Sequence, residues 1–269
     1  MSGAEGRPRI FVHIGTHKTG TTSFQDWLSR HEKGLLNQFG LGVYQGAFPN
    51  CREVGLACAS PSRSLPTRGI PQWVDPEWRR HVGELVATQL ARPEDLVLSS
   101  EALSFLRSPA EVETLARLLQ GREVSILVVL RNRAEFLESW AKHLQRDRYK
   151  LSRDPSSFAY VENDSWLADY DSLFDAYGSI FGTEHVRVID YDHAMSSHGS
   201  VIPLLMSEIV GADAPLPDWQ SARKNVGSDV ARSRKDAQEP FGVRLARFVR
   251  HPIVTSRRVM ARRQHDASY

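Results

Sequence analysis

The sequence predicts an α/β fold in three layers: a central, mostly parallel sheet with helices on both faces. Three observations carry that expectation. Short apolar runs alternate with segments whose apolar residues recur at helical spacing, the order expected of strand–helix–strand units. One run, residues 125–130, is almost continuously apolar, as in a strand buried on both faces of a parallel sheet. Three polar clusters, 15–23, 99–101 and 131–139, follow directly on strand-like runs, at the carboxyl ends where such sheets bind ligands.

Residues 9–14 predict the first strand, which stops at Gly15. A polar loop over 15–20 leads into a helix over 21–31, with Phe24, Trp27 and Leu28 on one face. The stretch 59–75, rich in Pro, Ser and Arg, reads as an irregular excursion of the kind that forms lids or stays disordered. A helix over 76–91 is marked by Trp78, Val82, Leu85, Val86 and Leu90, with Pro76 in its first turn. Residues 96–98 form the second strand and end in Ser99, Ser100 and Glu101. A helix over 109–119 is closed by Gly121. The third strand ends at Arg131 and is followed by a helix over 134–148. A helix over 164–181 carries Trp166, Tyr170, Phe174 and Tyr177, and residues 185–189 form a fourth strand. Helices over 200–210 and 226–235 complete the pattern. No internal repeat interrupts it, so the 269 residues read as one domain, with a flexible N-terminus over 1–8 and a basic tail over about 250–269.

A hydrophobic content of 41% and a charged content of 25% are those of a soluble globular protein. The formal net charge of +2 gives no bulk attraction to nucleic acid, which is not expected as a partner. The basic excess is local: seven arginines and no acid fall between Arg244 and Arg263. That segment reads as a packed terminal helix with a frayed end, the alternative being peripheral contact with an anionic membrane surface. Cys51 and Cys58 lack the partners of a zinc site and are too few for a disulfide framework, so they read as free thiols of a reducing cytoplasm. No apolar run precedes the first strand and none approaches a membrane span, so a soluble, cytoplasmic protein is expected.

The loop Gly15-Thr16-His17-Lys18-Thr19-Gly20-Thr21-Thr22-Ser23 joins a strand to a helix N-terminus. Such a turn aims unpaired backbone N–H groups at one point, where the helix macrodipole adds about half a positive charge; a phosphate is the natural guest. In the Walker pattern G-x-x-x-x-G-K-S/T a lysine follows the second glycine. Here Thr21 stands in that place and the lysine is Lys18, a shift that disfavours nucleoside triphosphate chemistry. The core Lys18-Thr19-Gly20-Thr21-Thr22 resembles the 5′-phosphosulfate-binding loop of sulfotransferases that use adenosine 3′-phosphate 5′-phosphosulfate (PAPS), in their bacterial and glycan-modifying branch. The resemblance implies a P-loop NTPase-like architecture and PAPS as co-substrate without a metal. It further implies that Lys18 meets the leaving phosphate while Thr19, Gly20, Thr21, Thr22 and Ser23 cradle it.

Arg131 ends a strand and Ser139 lies eight residues on, about two turns into the next helix, where a guanidinium and a hydroxyl can close on one phosphate. This spacing is similar to the family's 3′-phosphate-binding segment. Arg223 and Lys224 resemble, more loosely, its late basic segment over the nucleotide. Attack on sulfur needs a base near the acceptor hydroxyl. Glu101, at the end of the second strand, resembles the glutamate of the glycan-modifying branch, and the alternative is an acid at a helix start stabilised by the dipole. His17 and His13 compete for the role, His13 reading as a core residue and His17 as a loop contact. Trp73, Trp78, Tyr149 and Phe158 read as core or as walls of an acceptor groove, and Arg146, Arg148, Lys150 and Arg153 as a solvated helix end or as a contact for an anionic acceptor. The resemblance implies sulfuryl transfer to an unidentified hydroxyl or amine, a glycan or glycolipid among the candidates. The rivals are a P-loop kinase of a small metabolite and a nucleotide-binding module without catalysis.

Overall fold

In the computed structural model, which describes residues 7–67 and 70–220, the strands β1 (Arg9–Gly15), β2 (Leu41–Val43), β3 (Asp95–Ser99), β4 (Glu123–Leu130) and β5 (Val186–Asp190) form one parallel sheet. Their order is β2-β3-β1-β4-β5. β1 lies in the middle because its side chains suit apolar surroundings on both faces: Ile10, Val12 and Ile14 point one way, Phe11 the other, and all are buried. Ile10 stands opposite Leu96 on one side and Val124 on the other.

The first face is covered by α2 (Arg52–Cys58), α3 (Pro76–Leu90), α4 (Pro109–Leu118), α5 (Arg133–Arg146) and α6 (Tyr170–Phe181), which contribute Val54, Val86, Leu115, Trp140 and Tyr177 to one core. The second face is covered by α1 (Thr21–Phe39) and α8 (Ile202–Val210), whose Trp27, Leu28, Leu205 and Met206 pack on Phe11, Val97, Leu127 and Val129. A short helix, α7 (Tyr191–His198), joins β5 to α8. Helices therefore lie on both faces, as the sequence predicts. The chain runs from β1 to one side of the sheet and from β3 back across to β4, so the order reverses about β1. The crevice at its carboxyl end is the place where such sheets bind ligands.

Several boundaries differ from the sequence reading. α1 continues past His31 to Phe39, because Leu35 extends the buried face of Leu28, and it stops at Gly40. α6 begins at Tyr170 rather than near 164, because the Asp169 carboxylate accepts the backbone N–H of Ser172 at 3.1 Å. α5 ends at Arg146, and Arg148 turns away in a left-handed conformation at φ 61°. The excursion after α2 is tied down at Arg63: its guanidinium donates two bonds of 2.6 Å to the buried Glu111, which also closes the capping box of α4 with Ser108. The expected helix over 226–235 and the basic tail lie outside the described residues. No helix among the described residues is long and apolar enough to cross a membrane.

His13 is a core residue, as its place in β1 predicts. It is wholly buried, with Nδ1 2.8 Å from Ser99 Oγ and its ring edge-on to Phe24 at 5.1 Å. Burial pushes its pKa from 6.5 to about 3, against an upward pull from Glu101. Between those values the unfolded chain binds a proton that the folded chain does not. The stabilisation is therefore complete above pH 6.5 and is lost as the pH falls toward 3. On lowering the pH from 6.5 to 4.5, the wild type should lose roughly 2 kcal/mol relative to His13→Gln. Urea unfolding of both proteins reads this directly, and parallel pH dependences would contradict it.

Candidate active site

The loop after β1 is fixed by its own threonines. Thr16 fastens it to the neighbouring strand: its Oγ1 donates to the carbonyl of Val129 at 3.0 Å, and Thr19 Oγ1 donates back to the carbonyl of Thr16. Lys18 (φ 67°) and Gly20 (φ 80°) both take the left-handed conformation. For Lys18 this costs about 1–3 kcal/mol, held in place by the surrounding bonds. Gly15 must lack a side chain, because a Cβ there would lie 1.9 Å from Thr21 Oγ1. That hydroxyl is buried and has no hydrogen-bond partner among the described residues. α3 to α7 are capped at their starts by Asp75, Ser108, Asn132, Asp169 and Asp190, whereas Gly20 caps α1 with no side-chain bond. Thr22 is exposed and Ser23 half-buried beside it. The chemistry of this cradle fits a phosphate: a dipole, a hydroxyl without a partner and a nearby ammonium.

Beside the loop stands Glu101, facing the loop's own His17. Glu101 opens a 3-10 turn (Glu101–Phe105) directly after β3. Its Oε2 lies 3.1 Å from His17 Nδ1. An ionised carboxylate only accepts, so His17 carries its proton on Nδ1. The imidazole stacks on Trp140, with ring centres 4.3 Å apart and planes 29° apart, and packs on Phe105 at 5.0 Å. Its Nε2 is buried without a partner. Burial pushes the Glu101 pKa up, but the charge and hydrogen bond of His17, then Lys18 and His143, outweigh it, so the carboxyl sits below its ordinary value of 4.5. It is ionised at neutral pH. Its other oxygen has no hydrogen bond among the described residues, and 24% of the side chain stays exposed, so an incoming group can reach it.

Burial pushes the Lys18 pKa down, helped by Arg146 and opposed by Glu101 and Asp147. No hydrogen bond holds its ammonium among the described residues. His143, on α5, accepts a 2.7 Å bond from Arg146 Nη2 at Nδ1, and its ring lies 6.1 Å from that of His17. An arginine only donates, so His143 is neutral here, in keeping with a pKa that burial and then Lys18 hold down at about 4.

Arg131 stands at the end of β4, as the sequence predicts, and Ser139 lies on α5. Between them sits Glu135. Arg131 donates to its Oε2 from Nε at 3.0 Å and from Nη2 at 2.6 Å, with its guanidinium over the Tyr191 ring at 5.2 Å. Ser139, one turn beyond Glu135, makes no side-chain hydrogen bond among the described residues. Arg223 and Lys224 lie outside the described residues. The sequence reading missed Trp140 and His143, although both share the buried side of α5 with Phe136 and Leu144. It also missed Arg52, which follows no motif.

A cleft of about 470 Å³ is lined by Arg52, Pro66, Arg146, Asp147, Arg148 and Tyr149. Arg146 bonds His143, whose ring lies 6.1 Å from that of His17, so the cleft lies near the loop.

The parallel sheet with its loop after β1 has the fold of a solved sulfotransferase. Over 94% of this chain and 99% of the other, it superposes on the crystal structure of a sulfotransferase from Alicyclobacillus acidocaldarius, with a TM-score of 0.52 at 19% identity. At that identity the likeness is one of fold. The sulfotransferase domain from the curacin biosynthetic pathway is more distant, with a TM-score of 0.46 at 12% identity over 81% of this chain and 78% of that one. No protein-family model matches the sequence, and neither does any curated protein.

Proposed function

We propose that the chain moves a sulfuryl group from PAPS to a hydroxyl or amine of an acceptor, by in-line displacement at sulfur. The observation that carries this reading is that Lys18, which has no hydrogen bond among the described residues, acts through its charge on the Glu101 of the His17–Glu101 pair, beside a loop that leaves Thr21 Oγ1 without a partner among those residues. The fold shared with a known sulfotransferase supports it. PAPS, when bound, supplies a sulfuryl group already attached to a phosphate that can leave.

The residues of the loop from Lys18 to Ser23 hold the 5′ end through backbone N–H groups and hydroxyls. Lys18 sets its ammonium against the charge that grows on the leaving oxygen. Glu101 takes the acceptor proton on its unbonded oxygen while His17 holds the other. Trp140 and Phe105 fix the His17 ring and keep water from its inner face. Arg131 and Ser139 hold the 3′-phosphate, a group that ATP lacks, once Arg131 lets go of Glu135. Glycans and glycolipids are the first acceptors to try, and transfer of radiolabel from PAPS tests the reading. Absence of transfer, together with absence of binding by adenosine 3′,5′-bisphosphate, would contradict it.

The Glu135 carboxylate competes with a phosphate for the same guanidinium. As an exposed pair four residues apart it contributes only about 0.3–0.5 kcal/mol to the fold, whereas its charge repels a phosphate at short range. Glu135→Gln should therefore tighten bisphosphate binding by about threefold to tenfold in calorimetric titration. Unchanged or weaker binding would show that Arg131 takes no part in holding the nucleotide.

A further inference from the structure

We infer that the acceptor carries an anionic oxyacid group, a carboxylate, sulfate or phosphate, which docks between Arg52 and Arg148 in the cleft beside the transfer loop. The word acceptor rests on the sulfuryl-transfer reading; the anion site rests on the cleft itself.

The cleft, about 470 Å³, is of the size that takes a small ligand. Among the described residues its lining holds three arginines and one acid. That acid is already engaged: Asp147 accepts from Arg146 Nε at 3.1 Å and faces His143 Nε2 at 3.6 Å. Arg146 in turn bonds His143. Arg52 and Arg148 are left, and among the described residues neither has an ion pair.

Arg52 is held in place without such a partner. The Arg52 guanidinium lies over the Phe48 ring at 4.6 Å, and its Nε is buried with no hydrogen-bond acceptor among the described residues. Burial pushes its pKa down, with only partial relief from Glu53 and Tyr149. A buried N–H of a cation without an acceptor is costly, and an oxyanion supplies the acceptor. Arg148 sits on an ordered turn. Its own N–H bonds the carbonyl of Gln145 at 3.0 Å, and the next N–H, of Tyr149, bonds Leu144 at 2.8 Å. The Tyr149 ring, set edge-on against Phe158 at 5.1 Å, gives the cleft an apolar wall. Two planar guanidinium forks flanking such a wall suit an oxyacid on a ring or chain.

The cleft also stands where an acceptor must. Arg146 and Asp147 line it and act on Lys18, and His143 links them to His17 and so to Glu101. An anion anchored on Arg52 and Arg148 would leave the rest of the molecule to reach Glu101.

The test measures equilibrium binding to the full chain, in excess adenosine 3′,5′-bisphosphate, of two matched pairs: nitrophenyl glucuronide against nitrophenyl glucoside, and nitrophenyl phosphate against nitrophenol. In at least one pair the charged member should bind about tenfold to a hundredfold more tightly. The pair that responds tells a carboxylate site from a phosphate or sulfate site. Arg148→Gln, at an exposed turn that should fold normally, and Arg52→Gln should each abolish most of that preference. Equal binding within both pairs, no binding by either charged probe, or a preference that survives both substitutions would overturn the inference. Binding of the bisphosphate is read in the same samples. Its absence removes the sulfuryl-transfer reading, whereas a lost preference with the bisphosphate still bound removes only the anionic acceptor.

Discussion

Lys18→Ala should slow sulfuryl transfer by about a hundredfold to a thousandfold, the usual loss when one preorganised donor to a developing charge is removed. Most of the loss should fall on kcat. In the ground state the leaving oxygen is bonded to sulfur and carries little extra charge, and as that bond breaks the charge grows beside an ammonium that has no other hydrogen bond among the described residues. Because the interaction strengthens along the reaction, KM and bisphosphate affinity should change far less than the rate. The same lysine sets the alkaline side of the pH profile. Burial and Arg146 push its pKa below the ordinary lysine value of 10.5, so activity should begin to fall at a lower pH than an exposed lysine would give. Steady-state kinetics with labelled PAPS separates the cases. A loss confined to KM would make Lys18 a binding residue without a part in bond breaking.

Glu101→Gln should lower the rate by about a hundredfold to ten-thousandfold, the range for loss of a positioned base, with the fold intact because the amide keeps an acceptor for His17 Nδ1. In the proposed mechanism His17 acts through Glu101, as a positioning residue. Its hydrogen bond and charge are the largest influences opposing the burial that would raise the Glu101 pKa. In the wild type, activity should persist to a pH below the ordinary carboxyl value of 4.5 before protonation of Glu101 removes it. His17→Asn should shift that acid limb upward, because the burial effect remains while its main counterweight is gone. A merely structural histidine would lower stability or kcat and leave the limb in place, so the pH dependence of kcat/KM decides between the two.

The parts of the site that were legible in the sequence are those fixed by local rules. The β1 run, the glycine-bounded loop and the helix start at Thr21 were readable, because a strand, a left-handed glycine and a helix N-terminus are each short-range features. β4 was legible because burial on both faces leaves no polar alternation to read. β2 is three residues long and contains Gly42, too short to carry a period, and α2 is buried along most of its length, so it lacks a polar stripe. The pairing of His17 with Glu101 could not be read, because it depends on β1 and β3 lying side by side in the sheet. The hold of Glu135 on Arg131 was within reach, since residues four apart at a helix start meet as a rule.

The central claim is that the chain grips a nucleotide with phosphates on both sides of its ribose. Its most direct test is a thermal-shift comparison of adenosine 3′,5′-bisphosphate with ATP and Mg²⁺, on the wild type and on Arg131→Gln. The bisphosphate at about a hundred times its Kd should stabilise the wild type by about 2.7 kcal/mol, more than ATP does, and should lose most of that effect in the variant. Greater stabilisation by ATP with Mg²⁺, or a bisphosphate shift unchanged by Arg131→Gln, would contradict it.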